Sequence, residues 1–498
     1  MNPLKKLFGQ TAVYGVTTIV GRFLNYLLVP LYTYTFTPDQ YGVVTELYAY
    51  AVLLQILLTY GMETGFFRFA EKNYTVDKVF STAFSSLFTT STLFILLVLT
   101  FDKQIAAALG YSDHVEYIVY FALIIGIDAV SAIFFARLRQ QNKVFKFAAI
   151  KIFNISVNIG LNLFFILLCP DLYKHNPDSL LCSVYNPSIG VGYIFISNLV
   201  ASVLTFLIFI PTLFSIKFTP DWKLLKKMLA YSLPLLITGL TGAVNEVADR
   251  IMLKFMTVVP PGVPDAHEYV MYQLGIYGAN AKIAVIMMLF VQAFRYAAEP
   301  FYFSYAKEKD SYKVFADVMK YYLIFALAIF LFVLLYLDIV KYFIKSTYHE
   351  GLNVVFPLLL SRMMVGVFFL LSFWYKLTDN TKYGIVIFAI GAAITVTLNY
   401  IFIPKYGYIA CAWTSFVTYF SMVVISYFWG KKYLPLQFDL KSMALYFVVA
   451  LGIYFVFKNI DFSSKAAEFT TATLFLLAYL AFVIKREKLW HLLLKNKT

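Results

Sequence analysis

Residues 115–136 read VEYIVYFALIIGIDAVSAIFFA, a run in which only Glu116 and Asp128 are charged. A helix of this length rises about 33 Å at about 1.5 Å per residue, enough to cross the roughly 30 Å hydrocarbon core of a bilayer. Similar runs recur along all 498 residues, which are 61% hydrophobic and 14% charged. The mean hydropathy is +0.74. This composition predicts an all-α polytopic membrane protein and excludes a soluble domain.

Fourteen such runs are expected to be transmembrane helices, because backbone groups in lipid must satisfy their hydrogen bonds within the segment. No connecting stretch is long enough for a soluble domain, so the function is expected within the membrane. The predicted spans are 8–34, 41–67, 79–101, 115–136, 147–169, 189–216, 228–255, 271–303, 321–337, 352–374, 383–403, 407–429, 442–457 and 466–484.

The distribution of Lys and Arg predicts the orientation. If Lys5 and Lys6 are cytoplasmic, the segments that alternate to that side hold 28 of the 41 Lys and Arg residues, and the outer loops hold seven. Such a bias is typical of the positive-inside rule and places both termini in the cytoplasm. The net charge of +14 is explained in this way, so it does not indicate nucleic-acid binding.

A weak internal repeat divides the chain. DKVFSTAF at 77–84 matches YKVFADVM at 312–319, and GLNLFFI at 160–166 matches TLNYIFI at 397–403, with nearly the same offset. Because six helices separate the copies, both run the same way through the membrane, as in a parallel repeat. We expect two six-helix lobes, at 1–218 and 219–435, and two further helices in 436–498.

Ionisable residues inside the spans carry the functional prediction. Each costs about 2.5–3.5 kcal/mol at the centre of a helix, so they must pair or face a cavity. Arg295 and Glu299 are four residues apart and are expected to form a structural ion pair. The ionisable residues inside the spans include the basic residues Arg22, Arg250, Lys254, Lys282, Arg295 and Arg362, and the acidic residues Glu46, Glu63, Asp128, Glu246, Asp249 and Glu299.

Four of these residues, Arg22, Asp128, Lys282 and Arg362, are predicted near the membrane midplane, without an opposite charge three or four positions away. The segment NEVADRIMLK at 245–254 adds a stripe of charges at helical spacing. In it, Glu246 is expected to neutralise Arg250. Lys254 is expected to extend to the outer interface.

Asn154, Asn158 and Asn162 lie on one helix face, where their amides either join helices or line a wet cavity. All five histidines fall in predicted loops or the tail, so we expect no histidine relay or metal centre in the bilayer, and no cofactor. Cys169 and Cys182 lie at the longest outer loop and form either a disulfide or two unpaired thiols.

Fixed cations at mid-depth suit an anionic ligand that itself belongs in a membrane. The guanidinium fork of arginine can bind two phosphate oxygens. We therefore expect a lipid phosphate or pyrophosphate head group, with or without attached sugars.

Several motifs resemble those of a known family. DRIML at 249–253 is followed by LGIYGANAKI at 274–283, while PDQYG occurs at 38–42 and FRYAAEPF at 294–301. Together they resemble the polysaccharide and oligosaccharide flippases, which are Wzx-like members of the PST family in the MATE-related MOP superfamily. The resemblance implies a MATE-like fold.

The resemblance also implies a function. Such proteins flip undecaprenyl-pyrophosphate-linked oligosaccharide across the bacterial inner membrane, for O-antigen, capsule or exopolysaccharide synthesis, alongside glycosyltransferases and polymerases. They rock between two states and are often coupled to H⁺ or Na⁺. Asp249, Arg250 and Lys282 match family positions; Arg22 matches only by depth, and Arg362 is inferred from this sequence alone.

The roles expected for these residues follow from charge. The pyrophosphate would be bound by four cationic side chains, those of Arg22, Arg250, Lys282 and Arg362. Four acidic residues are candidates for ion coupling or for balancing these cations, namely Glu46, Asp128, Glu246 and Asp249.

Two other functions compete. A multidrug antiporter of the same superfamily would usually have twelve spans and acidic cation sites. A membrane glycosyltransferase or polymerase would need a sizeable outer loop, whereas the longest one, 170–188, contains only Asp171 and Asp178 as acidic residues.

Overall fold

The computed structural model describes residues 19–71, 74–176, 178–179, 183–306, 308 and 311–488. These residues are helical almost throughout and include no strand, so the predicted all-α membrane fold is confirmed. Lys5, Lys6, Cys182 and the tail after residue 488 lie outside the described residues.

The helices follow the predicted spans closely. Residues 19–26 are helical, and the helices after them are numbered here in chain order. They are α1 Leu28–Thr35, α2 Pro38–Thr59, α3 Met62–Ala70, α4 Val76–Thr100, α5 Asp102–Leu109, α6 Val115–Gln140, α7 Val144–Leu163, α8 Cys169–His175, α9 Gly192–Phe214, α10 Trp222–Met256, α11 Ala266–Ile283, α12 Val285–Tyr305, α13 Ser311–Leu335, α14 Leu337–Val340, α15 Val355–Leu371, α16 Phe373–Leu377, α17 Lys382–Tyr406, α18 Tyr408–Tyr433, α19 Leu440–Lys458 and α20 Lys465–Arg486.

In the described part of the chain, twelve helical stretches are long and apolar enough to cross a membrane, and α11 with α12 would make a thirteenth. The predicted count of fourteen is therefore not confirmed. Part of the first predicted span, 8–34, lies outside the described residues.

Two predicted spans are irregular. The fifth continues from Val144 to His175 through a π-helical turn at Phe164–Leu168. The eighth, predicted as one helix over 271–303, is interrupted at Ala284. Irregular turns inside membrane helices are frequent at functional positions.

Contacts divide the chain into two compact units, Met1–Gly278 with Ala392–Cys411, and Ala279–Gly391 with Ala412–Thr498. In the first unit, α6 packs against α2, α4 and α9, while α10 runs along α2. In the second, α13 packs against α15, α19 and α20. The lobes at 1–218, 219–435 and 436–498 stay a prediction.

The start of α10 is fixed by a capped first turn. The Asp221 carboxylate accepts hydrogen bonds from the backbone N–H groups of Lys223 at 2.8 Å and Leu224 at 3.1 Å. It also pairs with Lys78 at 2.6 Å. The Lys78 ammonium and these N–H groups lower the pKa of Asp221 to about 2, so this cap is ionised at neutral pH.

Candidate functional site

Glycines of two sequence motifs bring α2 and α11 together. A Cβ atom at Gly275 would overlap the backbone carbonyl of Pro38, and one at Gly42 would overlap that of Met271. A Cβ at Gly278 would collide with the side chain of Thr45. Small residues allow membrane helices to approach backbone to backbone. The PDQYG and LGIYG motifs are therefore in part packing motifs.

This packing places a tyrosine beside the charged motif of α10. The Tyr277 hydroxyl donates to Asp249 Oδ2 at 2.5 Å. Arg250 Nη1 lies 3.2 Å from Asp249 Oδ1 and donates to the carbonyl oxygen of Glu246 at 2.7 Å. The side chains of Asp249 and Arg250 are 9% and 17% exposed. The DRIML and LGIYG motifs thus meet in one buried contact.

This geometry corrects the predicted partner of Arg250. Its ion pair is with Asp249, whereas Glu246 contributes its backbone carbonyl. The reason is that Tyr277 fixes the Asp249 carboxylate within the packed face. Residue Glu246 is exposed.

One turn further along α10, Lys254 forms a second buried ion pair. Its Nζ lies 2.6 Å from Glu46 Oε1 of α2 and donates to the Leu109 carbonyl at 2.5 Å. The Tyr111 hydroxyl donates to the other Glu46 oxygen. The Glu46 side chain is 0% exposed and that of Lys254 is 7% exposed.

The expectation that Lys254 extends to the outer interface is therefore wrong. The reason is that helix α2 and the loop that contains Tyr111 together cover the end of the Lys254 side chain. Tyr111 lies between helices, and burial together with the Glu46 charge raises the pKa of Tyr111 well above its usual value. The phenol therefore stays protonated and keeps donating to the carboxylate.

The remaining predicted cations lie elsewhere. Arg22 is exposed in the first described helix. Lys282, in the last turn of α11, and Arg362, on α15, are partly buried in the second unit. Their convergence with Arg250 on one site stays a prediction.

The pair expected near the end of α12 is present. Arg295 Nε lies 4.0 Å from Glu299 Oε2, and Lys376 Nζ lies 3.4 Å from the other Glu299 oxygen. The side chains of Arg295 and Glu299 are 54% and 38% exposed. This position suits a structural role.

The asparagine stripe of α7 joins helices. Asn154 donates to Thr205 of α9 at 2.9 Å, and Asn158 donates to Asn25 at 3.4 Å. Asn162 accepts from the Tyr32 hydroxyl at 2.9 Å. Asn154 also faces a cavity, so the two readings left open by the sequence both apply at this position.

That cavity, which we call the inner cavity, has a volume of about 570 Å³ and lies among α2, α3, α6, α7 and α9 in the first unit. Asp128, Lys151, Glu63 and Arg139 contribute charges to its wall. The other polar groups are amides and hydroxyls from Tyr48, Gln55, Ser131, Asn154, Asn198 and Thr205.

Sequence reasoning missed several of these residues. Tyr277 stands within the LGIYG motif, which was the available signal for it. Lys151 lies near the cytoplasmic start of the predicted span 147–169 and was not among the candidate residues, although it is two turns inside α7.

Cysteine and metal chemistry add little to the site. Cys169 is buried at the start of α8, and the disulfide question stays open because Cys182 is not described. Within the described ranges, no group of three His, Cys, Asp or Glu side chains is arranged to hold a metal ion.

Comparisons with known proteins agree with this architecture. The family model "Polysaccharide biosynthesis protein" matches residues 7–306. No curated protein sequence matches the chain significantly.

Solved structures share the fold. The lipid II flippase MurJ, in an inward closed conformation, aligns with a TM-score of 0.71 at 16% identity over 96% of this chain and 99% of that chain. An inward-facing multidrug resistance MATE family transporter of the MOP superfamily aligns with a TM-score of 0.63 at 13% identity, over 83% and 94%. A MOP superfamily transporter from Pyrococcus furiosus gives 0.53 at 14% identity, over 87% and 98%. The chain thus has the fold of these transporters, and it belongs to the polysaccharide biosynthesis protein family.

Proposed function

We propose that this chain is a flippase for lipid-linked oligosaccharide. It moves a glycan carried on undecaprenyl pyrophosphate from the cytoplasmic to the periplasmic leaflet of the bacterial inner membrane by alternating access. The product would supply O-antigen, capsule or exopolysaccharide synthesis, alongside a polymerase or glycosyltransferases. Membership of the polysaccharide biosynthesis family and the fold shared with transporters support a transporter rather than an enzyme.

The observation that carries the proposal is the placement of Arg250. Its ion pair with Asp249 and its hydrogen bond to the Glu246 carbonyl both use Nη1. A guanidinium has five N–H donors, and no hydrogen bond to another described residue uses Nε or Nη2, so these two groups are available for two phosphate oxygens. Asp249 balances the charge when no substrate is bound. Arg22, Lys282 and Arg362 would add to the pyrophosphate site.

The acidic candidates differ in what they can do. Glu46 and Asp249 are held in buried ion pairs, which favours a charge-balancing role. Glu246 is exposed, and Asp128 faces the inner cavity. Coupling to H⁺ or Na⁺ is part of the proposal.

The test is translocation in proteoliposomes that contain lipid-linked oligosaccharide, followed by a membrane-impermeant lectin. Loss of a hydrogen bond to a charged group costs about 1.5–3 kcal/mol, so Arg250→Gln should slow translocation roughly ten- to hundredfold. Arg295→Gln is the control, because Arg295 belongs to an exposed ion pair, and its translocation rate should stay near that of the wild type. Arg22→Gln, at an exposed position, should also slow translocation without affecting folding. Unchanged rates in both Arg250→Gln and Arg22→Gln would refute the site.

The alternative is an ion-driven multidrug antiporter, which the likeness to the MATE family transporter favours. Uptake of a cationic dye driven by H⁺ or Na⁺, without oligosaccharide translocation, would establish it. Lengthening of sugar chains by the purified protein would instead indicate a glycosyltransferase or polymerase.

A further inference from the structure

The inner cavity opens at one end. The side chains of Glu63 and Arg139, which form an ion pair, are 39% and 35% exposed and mark its mouth. This is the end of α6 that the charge distribution predicts to be cytoplasmic. From Arg139 to Phe121 the cavity follows α6 for 18 residues, or about 27 Å. It therefore reaches past the middle of the helix.

A carboxylate lies midway along this path. Asp128 is near the centre of α6, and Lys151 of α7 faces the same space. No salt bridge within 4.0 Å joins either group to another residue of the described ranges. Instead, the Lys151 ammonium lies 4.0 Å from the centre of the Phe135 ring. The two charges thus share a cavity without touching.

The groups around Asp128 are few. Tyr48 of α2 and Ser202 of α9 lie beside it, and Lys151 faces it from α7. Arg139 and Glu63, at the mouth, are the other charged residues of the wall. The Ser131 hydroxyl, buried in the same wall, has no hydrogen-bond partner among the described residues. A polar cavity of this size can hold water that solvates these groups.

We propose that the inner cavity is a hydrated path from the cytoplasmic end and that Asp128 is a proton-binding site whose counter-charge is Lys151. A hydronium ion in the cavity water transfers its proton: one hydronium O–H bond breaks, an O–H bond forms on the Asp128 carboxylate, which becomes a neutral acid, and water remains; release reverses this step. Lys151 then loses its negative neighbour, which changes the charge balance between α6 and α7. A metal cation is disfavoured because the ammonium of Lys151 repels it. The proton would drive the transport proposed above, but the site can be tested without any substrate.

The test is a pH titration of the purified full chain in nanodiscs, followed by infrared difference spectroscopy in the carboxylic acid C=O region. The wild type should show a titrating band that is absent in Asp128→Asn and retained in the control Asp171→Asn, which removes an exposed carboxylate outside the cavity. Removing a nearby positive charge raises a carboxyl pKa by about one to three units, so Lys151→Met should move the midpoint upward by that amount. If Asp128→Asn does not fold, Asp128→Glu should shift the band frequency instead.

Three results would overturn the proposal. The first is an unchanged band in Asp128→Asn, or in Asp128→Glu where that variant is used. The second is an unchanged midpoint in Lys151→Met. The third is displacement of the proton by NaCl but not by choline chloride, which would identify a sodium site. Because no oligosaccharide is present in this titration, a failed translocation assay would leave the proton site intact. Likewise, a failed titration would leave the proposed flippase activity intact.

Discussion

The first unit contains two sets of charged residues within the predicted membrane spans, and the two sets differ in whether their charges are paired directly. In one, which we call the buried charge network, direct contacts satisfy every charge. In the inner cavity, Asp128 and Lys151 face open space and do not pair directly. The difference shows that the role of an ionisable residue depends on the residues that cover it and not on its depth in the membrane. The network consists of Glu46, Tyr111, Asp249, Arg250, Lys254 and Tyr277.

The largest effect is expected from breaking the pair of Glu46 and Lys254. Lys254→Met leaves a carboxylate buried without its cation, and such a change costs about 3–5 kcal/mol of unfolding free energy. The measurement is denaturant unfolding in mixed micelles.

A double variant, Glu46→Met with Lys254→Met, should recover much of that loss, because a buried ion pair can often be replaced by apolar groups at little cost. If the double variant loses as much as the two single variants together, the two residues are not coupled. The network description would then fail at this pair.

Tyr277→Phe should produce the next largest effect. It removes a donor from the ionised Asp249, and a hydrogen bond to a charged group is worth about 1.5–3 kcal/mol. Tyr479→Phe is the matched control, because its hydroxyl donates to the neutral Ile324 carbonyl at 3.3 Å. That variant should lose only about 0.5–1.5 kcal/mol. Equal losses would mean that Asp249 does not depend on Tyr277.

Gly275→Ala tests the packing that supports the network. The new methyl would meet the rigid backbone of Pro38, and overpacking of this kind costs about 1–3 kcal/mol. Gly452→Ala is the control, because a Cβ there meets nothing within 4 Å. Its stability should stay the same or rise by up to about 1 kcal/mol. A harmless Gly275→Ala would show that α2 and α11 can separate freely.

Sequence reasoning could find the membrane helices, because apolar length alone predicts them. It also found the DRIML and LGIYG motifs, but not that Tyr277 joins them. The burial of Lys254 was not predicted because sequence gives only a distance from the interface. Its burial depends on the loop that contains Tyr111, whose Leu109 carbonyl accepts from Lys254 at a separation of 145 residues. A hydrogen bond between helices distant in sequence leaves no periodic signal in a single chain.

The smallest effect on the free energy of unfolding is expected for Asp128 in the inner cavity. Asp128→Asn removes a charge that the described residues do not pair, and cavity water can solvate the remaining Lys151. The free energy of unfolding should therefore change by less than about 1 kcal/mol, as for exposed charges. The same denaturant unfolding applies, with Lys254→Met as the reference of opposite behaviour. A loss of 3 kcal/mol or more, about that of a broken buried ion pair, would mean that Asp128 is a structural charge. The two regions would then differ only in geometry and not in function.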